Sequence, residues 1–151
     1  MARIKIEIPN NKLHQLKIQV RITDINYGNH LGNDSMVSIL HEARVDWLTH
    51  TGYTELNINP ADTSEKIGLI MNELIVNYSN ESFYGDDLSI LLSVGEITQV
   101  GFELYYTIET ERKDEIIIVA KAKTGMVCYD YSKRKVAEIP SEFKNKLLRH
   151  P

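Results

Sequence analysis

The side chains best suited to chemistry lie in one short loop, residues 24–33, which reads DINYGNHLGN. This loop combines carboxylate, amide and imidazole groups, and His30 is its one side chain suited to proton transfer near neutral pH. The amide of Asn26 cannot act as a base, but it can hold a water molecule or donate a hydrogen bond to a carbonyl oxygen. The loop is therefore a candidate site that combines a base with a hydrogen-bond donor.

Glycines and the segment after the loop support the same interpretation. Gly28 and Gly32 permit backbone conformations closed to other residues and let a ligand approach the main chain closely. The loop leads into an apolar segment, and the N–H groups at the start of a helix there could stabilise a developing oxyanion. We expect Asn33 or Asp34 to cap that helix. Ordinary capping also uses Asn, Asp and Gly, so the loop alone leaves both interpretations open.

Residues 35–50 are predicted to form one helix buried against a sheet. The apolar residues of this segment recur at helical spacing, and Ile39 and Val45 widen the apolar surface beyond one stripe. The main stripe consists of Met36, Leu40, Ala43 and Trp47, with Val37, Arg44 and Leu48 beside it. The helix is therefore expected to be enclosed on most sides.

Alternating apolar residues and turn formers predict five strands. They are residues 13–22, 67–78, 88–94, 102–111 and 115–129. The first strand should place Leu16, Ile18, Val20 and Ile22 on its apolar face, and the last should place there Ile116, Ile118, Ala120, Ala122, Thr124, Met126 and Cys128. Residues 52–66 are a polar connection, and Pro140 starts a short C-terminal helix. We expect one α+β domain, residues 1–151, in which an antiparallel sheet wraps around one long central helix.

Composition restricts the class of protein. The 151 residues are 42% hydrophobic and 25% charged, as in a soluble globular protein, and the net charge of −4 argues against nucleic-acid binding. There is neither a signal-peptide pattern nor an apolar run of membrane-spanning length. Cys128 is the only cysteine and is expected to be a buried strand residue, so a cytoplasmic location fits. We expect no metal site, because His14, His41 and His50 lack ligand-like spacing to one another or to cysteine.

Three segments together resemble the hotdog-fold thioesterases, specifically the branch that contains 4-hydroxybenzoyl-CoA thioesterase and related acyl-CoA thioesterases. That branch has a loop of the form D-x-D-x-x-G-H-V-N-N, which residues 24–33 match in part. Its helix often carries an E-A-R triplet, here residues 42–44, and its sheet a tyrosine followed by a G-D turn, here Tyr78 and residues 85–86. The similarity extends from about residue 14 to the helix that begins at Pro140.

The resemblance implies thioester hydrolysis and assigns roles to the loop. In bacterial members the second acidic residue of the loop is the catalytic carboxylate, and the matching residue here is Asn26. Plant-type acyl carrier protein thioesterases place an asparagine and a histidine in this loop, which suggests that Asn26 and His30 work together here. Two further departures are Asn29 for the glycine before the histidine, and Gly32 for the first asparagine of the N-N pair.

The complete candidate site is larger than this pair. Glu42 could supply a second carboxylate if the substrate runs along the helix, and the alternative is that it pairs with Arg44, Asp46 or solvent groups. Asp24 could orient His30 or merely cap the loop backbone. Five further loop residues are expected to contact substrate: Tyr27, Gly28, Asn29, Leu31 and Asn33. Basic residues in turns, Arg112-Lys113 and 133–135, could bind coenzyme A phosphates, although a solvated turn is the default explanation.

Three functions remain open from the sequence. The leading one is hydrolysis of an acyl-CoA or acyl carrier protein thioester, with coenzyme A only as part of the substrate and no cofactor. Hydration or dehydration of an acyl thioester on the same fold is a weaker alternative, because it would normally use a paired Asp and His. The third is an acyl-thioester binding or regulatory module that has lost catalysis through Asn26. A single sheet and helix leave edges uncovered, so a homodimer or homotetramer is expected, with no membrane or nucleic-acid partner.

Overall fold

A computed structural model of the protein describes residues 2–62 and 64–148. The elements in chain order are β1 (Lys12–Gln19), α1 (Asn33–His50), β2 (Ile67–Tyr78), β3 (Asp87–Ile97), β4 (Gly101–Arg112), β5 (Glu115–Asp130), β6 (Lys135–Val136) and α2 (Ser141–Leu148). The five long strands form one antiparallel sheet in the order β1-β3-β4-β5-β2, and β6 pairs with β5. In these described parts of the chain, no helix is both long and apolar enough to cross a membrane.

Helix α1 lies against this sheet with most of its apolar residues buried, but Val45, expected to widen the apolar surface, is 41% exposed. Leu40 and Trp47 are each 1% exposed, as the two-sided apolar pattern predicts. The Trp47 ring packs on Phe102 of β4 and Phe143 of α2, with ring centroids 6.3 and 6.0 Å away. Phe143 of α2 therefore packs between the C-terminal half of α1 and β4. The predicted α+β architecture, an antiparallel sheet around one long helix, is confirmed.

Replacing Trp47 with alanine should lower the free energy of unfolding by about 3–5 kcal/mol, because it removes a buried indole between three elements and leaves a cavity. Denaturant titration of the variant measures the loss. Thr49→Ala, at an exposed position on the same helix, is the control and should change stability by less than about 0.5 kcal/mol. A loss below about 1 kcal/mol for the Trp47 variant would contradict the packing described here.

The first strand is shorter than predicted. It ends at Gln19, and a 3₁₀ turn over Ile22–Asp24 follows. Val20 is buried as expected, but Ile22 is 68% exposed, so its assignment to the apolar face is wrong. The reason is a change of partner: Val20 N–H donates to Asp86 O at 2.9 Å and Gly85 N–H donates to Val20 O at 3.0 Å, which ends the regular ladder with β3. The chain then turns toward the loop.

The start of α1 also differs from expectation. The N-cap residue is Gly32, with an extended backbone and no side-chain hydrogen bond, and the helix begins at Asn33. The prediction that Asn33 or Asp34 caps the helix is therefore wrong. Asp34 instead lies in the first turn, where its negative charge is favourable at the positive end of the helix dipole.

A bulge in β5 explains why its apolar face is only partly as predicted. Ile108 pairs with Ala120, whereas Glu109 pairs with Ile118, so Val119 is the extra residue. From Ala120 to Cys128 the predicted face is buried, but before the bulge Ile116 is 62% exposed. Cys128 is fully buried, as predicted, and burial raises the pKa of its thiol to about 12. That thiol is therefore unreactive at neutral pH.

Candidate active site

The loop before α1 is a tight turn closed by its own backbone. Asn26 N–H donates to His30 O at 3.0 Å, Asn29 N–H donates to Asn26 O at 3.1 Å, and Ile25 and Leu31 form a β-bridge. Asn29 has a φ of 63°, a left-handed conformation that asparagine tolerates better than most residues. The chain thus reverses within five residues, which fixes His30 opposite Asn26.

Gly28 lies between the two side chains expected to do the chemistry. Asn26 Oδ1 accepts a hydrogen bond from Gly28 N–H at 2.9 Å, which leaves the amide Nδ2 as the donor end. A Cβ atom placed on Gly28 would be 3.0 Å from His30 Nε2 and 3.2 Å from Asn26 Oδ1. Both side chains therefore approach the same point, and a side chain at Gly28 would crowd it.

The end of the loop is fastened to the connection between β2 and β3. Leu31 N–H donates to Ser82 O at 2.7 Å, and Gly32 N–H donates to Asp24 O at 2.9 Å. The β2–β3 connection itself crosses the β5 bulge, where Ser79 and Asn80 N–H donate to Val119 O. These bonds bring residues 79–82 beside His30.

A cavity of about 200 Å³ lies where these segments meet. Its wall combines the end of the loop, the first turn of α1, the end of β2, the connection that follows and the β5 bulge. The lining residues are His30, Leu31, Asn33, Met36, Tyr78, Ser79, Asn80, Glu81, Ser82 and Val119. Three of the predicted site residues, His30, Leu31 and Asn33, are among them, and Asn26 reaches His30 from behind, across Gly28.

Glu81 is a lining residue that the sequence interpretation missed. Its Oε1 atom is 3.9 Å from His30 Nε2; the His30 side chain is partly exposed and that of Glu81 is exposed. At this distance the carboxylate makes no direct hydrogen bond, but its negative charge faces the imidazole. One sequence feature could have indicated Glu81. It lies in the polar stretch between Tyr78 and the Gly85-Asp86 turn, two features shared with the resembling family.

The first turn of α1 supplies hydrogen-bond donors to the same region. The first helical hydrogen bond runs from Met36 N–H to Gly32 O at 3.0 Å, so the N–H groups of residues 33–35 lie outside the helical ladder. Tyr78 Oη donates to Asn33 O at 3.3 Å. Burial, followed by the Asp34 carboxylate, raises the pKa of Tyr78, which keeps its hydroxyl protonated as a donor. The arrangement suits a developing negative charge.

Arg112 holds the wall of the cavity in place. Its Nη2 atom donates to Glu81 O at 2.8 Å and to Asp86 Oδ2 at 2.6 Å. Asp86 also accepts hydrogen bonds from Ser82 Oγ and Phe83 N–H. Burial would raise the pKa of Asp86, but these bonds and Arg112 outweigh it and lower that pKa. Arg112, considered from the sequence as a phosphate ligand, is thus already paired.

Asp24 and Glu42 do not line the cavity. The Asp24 carboxylate is buried and accepts hydrogen bonds from Arg21 N–H at 2.9 Å and from the Arg21 guanidinium. Of its two possible roles, capping the backbone is therefore the observed one. Glu42 is exposed on α1, where its charge acts on Arg21. Because α1 buries its other face, one chain alone does not bring Glu42 to His30.

Two of the loop residues expected to contact substrate do not line the cavity. Tyr27 is fully exposed at 103% of its reference area, and Asn29 is exposed in the turn. Gly28 lies in the turn behind His30 rather than on the cavity wall. In a single chain, these three residues are therefore supports or surface groups.

Arg44 belongs to the E-A-R triplet of residues 42–44, and it links α1 to the sheet by hydrogen bonds. It is 6% exposed, its Nε donates to Glu55 Oε1, and its Nη1 donates to Tyr106 Oη at 3.3 Å. Tyr106 Oη in turn hydrogen-bonds Thr124 Oγ1 at 3.0 Å. The acidic partner of Arg44 is therefore Glu55. It is not Glu42, the partner considered from the sequence.

Comparison with known proteins is consistent with this architecture. Two curated relatives are 1,4-dihydroxy-2-naphthoyl-CoA hydrolases: that of Microcystis aeruginosa is 30% identical over 73% of this chain and 75% of its own, and that of Nostoc punctiforme is 28% identical over 69% and 72%. The crystal structure of a 1,4-dihydroxy-2-naphthoyl-CoA thioesterase from Synechocystis has a TM-score of 0.77 at 21% identity, covering 91% of this chain and 98% of that one.

The sequence also matches a family model over most of its length. Residues 20–147 match the model described as the thioesterase-like superfamily. This range contains the loop, α1, strands β2 to β5 and most of α2. The fold of the Synechocystis enzyme and the order of elements here agree with the hotdog fold expected from the sequence. The chain belongs to the thioesterase-like superfamily.

Proposed function

We propose that this thioester hydrolase cleaves acyl-CoA compounds at the cavity beside His30, and that Asn26, His30 and the first turn of α1 carry the reaction. Thioester hydrolysis itself rests on family membership and on relatives named as CoA thioester hydrolases. The residue roles rest on one observation: His30 and the first turn of α1 line a cavity with apolar walls, and the Asn26 side chain approaches His30 across Gly28. Coenzyme A enters only as part of the substrate, and the proposal needs no cofactor.

The proposed reaction has two steps. His30 Nε2 takes a proton from a water molecule while the water oxygen bonds to the thioester carbonyl carbon, and the carbonyl oxygen becomes an oxyanion. Asn26 Nδ2 or the N–H groups of residues 33–35 donate to that oxyanion. The C–S bond then breaks, the protonated His30 returns the proton to the sulfur, and the products are a free acid and a free thiol. Leu31 O, 3.4 Å from His30 Nδ1, holds the ring from its other nitrogen, and the Glu81 carboxylate places a negative charge 3.9 Å from Nε2.

The shape of the cavity favours a compact acyl group. Its volume of about 200 Å³ lies below the 300–1,000 Å³ usual for drug-sized ligands, and Leu31, Met36 and Val119 supply its apolar surface. The 1,4-dihydroxy-2-naphthoyl group of the relatives' substrates is compact and aromatic, which makes it one candidate. We therefore place short aliphatic and aromatic acyl groups ahead of long chains.

The test is release of free thiol from a panel of acyl-CoA compounds: acetyl, hexanoyl, benzoyl, 1,4-dihydroxy-2-naphthoyl and palmitoyl. We expect a compact acyl group to give the highest kcat/KM and palmitoyl-CoA the lowest. The same acyl group on acyl carrier protein distinguishes the two thiol carriers. Saturable binding of acyl-CoA without any thiol release would instead favour the acyl-thioester binding module.

The protein is also proposed to work as at least a homodimer with the site near the subunit boundary. Strand β2 is an edge strand of twelve residues, and Ile70, Met71 and Tyr78 on it are between 37% and 43% exposed. Long edges with apolar side chains favour pairing with another chain. Tyr78 also lines the cavity, and the fully exposed Tyr27 lies in the loop beside it, so a second copy on this edge would approach the site.

Light scattering at micromolar concentration decides the state of assembly. We expect a mass of two or four chains, since the exposed edge needs a partner. A clean monomer of 17.3 kDa would contradict both the assembly and the shared site. A cytoplasmic location is part of the same proposal, and it is supported by the single, buried cysteine, which forms no internal disulfide.

A further inference from the structure

At the opposite end of α1, three side chains meet that the sequence interpretation had treated as unrelated. His14 of β1, Asp46 of α1 and His50 of α1 each offer a ligand atom, and these atoms lie within 4.8 Å of one another. The expectation that the histidines lack ligand-like spacing considered only positions along the chain. Asp46 and His50 are four residues apart on one helix face, and the fold brings His14 to them from the neighbouring strand.

We propose that His14, Asp46 and His50 bind one Zn²⁺ ion per chain. Two imidazoles and one carboxylate are a ligand set that zinc accepts, at about 2.0–2.1 Å for nitrogen and about 2.0–2.2 Å for oxygen. Tetrahedral geometry with these bond lengths separates the ligand atoms by about 3.3 Å. A water molecule fills the fourth position.

The distances fit this geometry with small movements. Asp46 Oδ2 lies between the two histidines, 2.6 Å from His14 Nε2 and 3.6 Å from His50 Nδ1. The first pair is a hydrogen bond that must open by less than 1 Å, and the second is already close to the required separation. His50 Nδ1 is also 2.8 Å from Asp46 O, so binding exchanges that local bond for a metal bond.

Access and mobility of the side chains also favour binding. The side chains of His14 and Asp46 are 17% and 30% exposed, which holds them in place, whereas that of His50 is 63% exposed and free to adjust. The two imidazole rings have centroids 5.0 Å apart and planes tilted by 45° to each other. The ion can therefore enter from solvent and be closed in by His50.

The bound ion would stabilise the fold by linking the edge strand β1 to helix α1. Strand β1 is at the edge of the sheet, where β3 is its one neighbouring strand, and the three ligands connect it to the last turns of α1. Asp46 is thirteen residues beyond the start of α1, which places the ion about 20 Å along the helix from the cavity. Metal binding should therefore raise stability without taking part in thioester hydrolysis.

Isothermal titration of untagged, EDTA-treated protein with Zn²⁺ alone tests the proposal. We expect one ion per chain, and a rise in Tm of about 5–10 °C when free Zn²⁺ is one hundred times its Kd. Substitution with Co²⁺ should give the visible absorption of a four-coordinate ion. Removal of the metal should leave kcat for the best acyl-CoA substrate unchanged, so this test does not depend on the proposed catalytic residues.

Two variants decide which residues hold the ion. His50→Ala changes a mostly exposed side chain, so the protein should fold, and its Zn²⁺ affinity should fall at least about tenfold. His41→Ala is the matched control: this exposed histidine on the same helix hydrogen-bonds Glu55 at 3.0 Å and should leave affinity unchanged. Absence of saturable binding, equal loss in both variants, or unchanged affinity in His50→Ala would each overturn the proposal.

Discussion

Replacing His30 with alanine is expected to lower kcat by roughly 10²–10⁴-fold, the usual contribution of a general base. The imidazole lines the cavity, its Nε2 atom is 3.9 Å from Glu81 Oε1, and the loop backbone fixes its position. KM should change much less than kcat, because the imidazole is expected to act on the attacking water and not to hold the acyl group. Steady-state thiol release with the best substrate of the panel measures both constants.

Two further variants separate a catalytic role from a structural one. His41→Ala removes an exposed histidine of α1 that lies outside the cavity, and it should retain the wild-type kcat. Glu81→Gln keeps the size of the side chain and removes its charge, so kcat should fall with KM unchanged, by less than in His30→Ala. A His30→Ala enzyme with kcat within twofold of the wild type would show that another group is the base.

The elements of the fold were predictable because their signals are local. The change of period at residue 67 identifies β2 as residues 67–78, the range observed, and helical spacing identifies α1 to within two residues. The errors occur where tertiary contacts determine the ends of an element. Ile22 continues the alternation of β1 in the sequence, but the hydrogen bonds between Val20 and the Gly85-Asp86 turn end the strand before it.

Only the part of the site that lies within the loop was predictable from the sequence. Residues 26–33 form the turn that their glycines and asparagines suggest, and His30 reaches the cavity. Glu81 could not be linked to His30 from the sequence, because their proximity depends on a bulge in β5. At that bulge Val119 O accepts the N–H groups of Ser79 and Asn80, and Ser82 O accepts Leu31 N–H, so residue 81 is carried to the loop by long-range hydrogen bonds.

Long-range pairing explains the other two differences. Arg44 is adjacent in sequence to possible partners, yet it is buried and pairs with Glu55 from the following connection and with Tyr106 of β4. His14 and His50 belong to different elements, and they meet because β1 lies beside the end of α1. Sequence spacing detects ligand sets within one helix or loop, so a set shared between a strand and a helix escaped it.

Replacing Asn26 is expected to cause the second large loss of kcat. Its Oδ1 atom accepts Gly28 N–H at 2.9 Å, which leaves the Nδ2 end as the donor. If that donor stabilises the oxyanion, Asn26→Ala should lower kcat by about 10²-fold, as loss of one oxyanion donor does elsewhere. The same thiol-release assay measures it, and circular dichroism checks that the loop variant remains folded.

Asn26→Asp tests the chemical role of the amide, because a carboxylate can still accept the Gly28 N–H but cannot donate to an oxyanion. We expect hydrolysis to fall below the wild-type rate, since the donor is lost and a negative charge is placed near the developing one. Asn145→Asp, at an exposed position on α2, makes the same change in net charge and should leave the rate unaltered. A rate for Asn26→Asp well above wild type would mean that a carboxylate is the better catalyst here, and the asparagine–histidine mechanism would then be wrong.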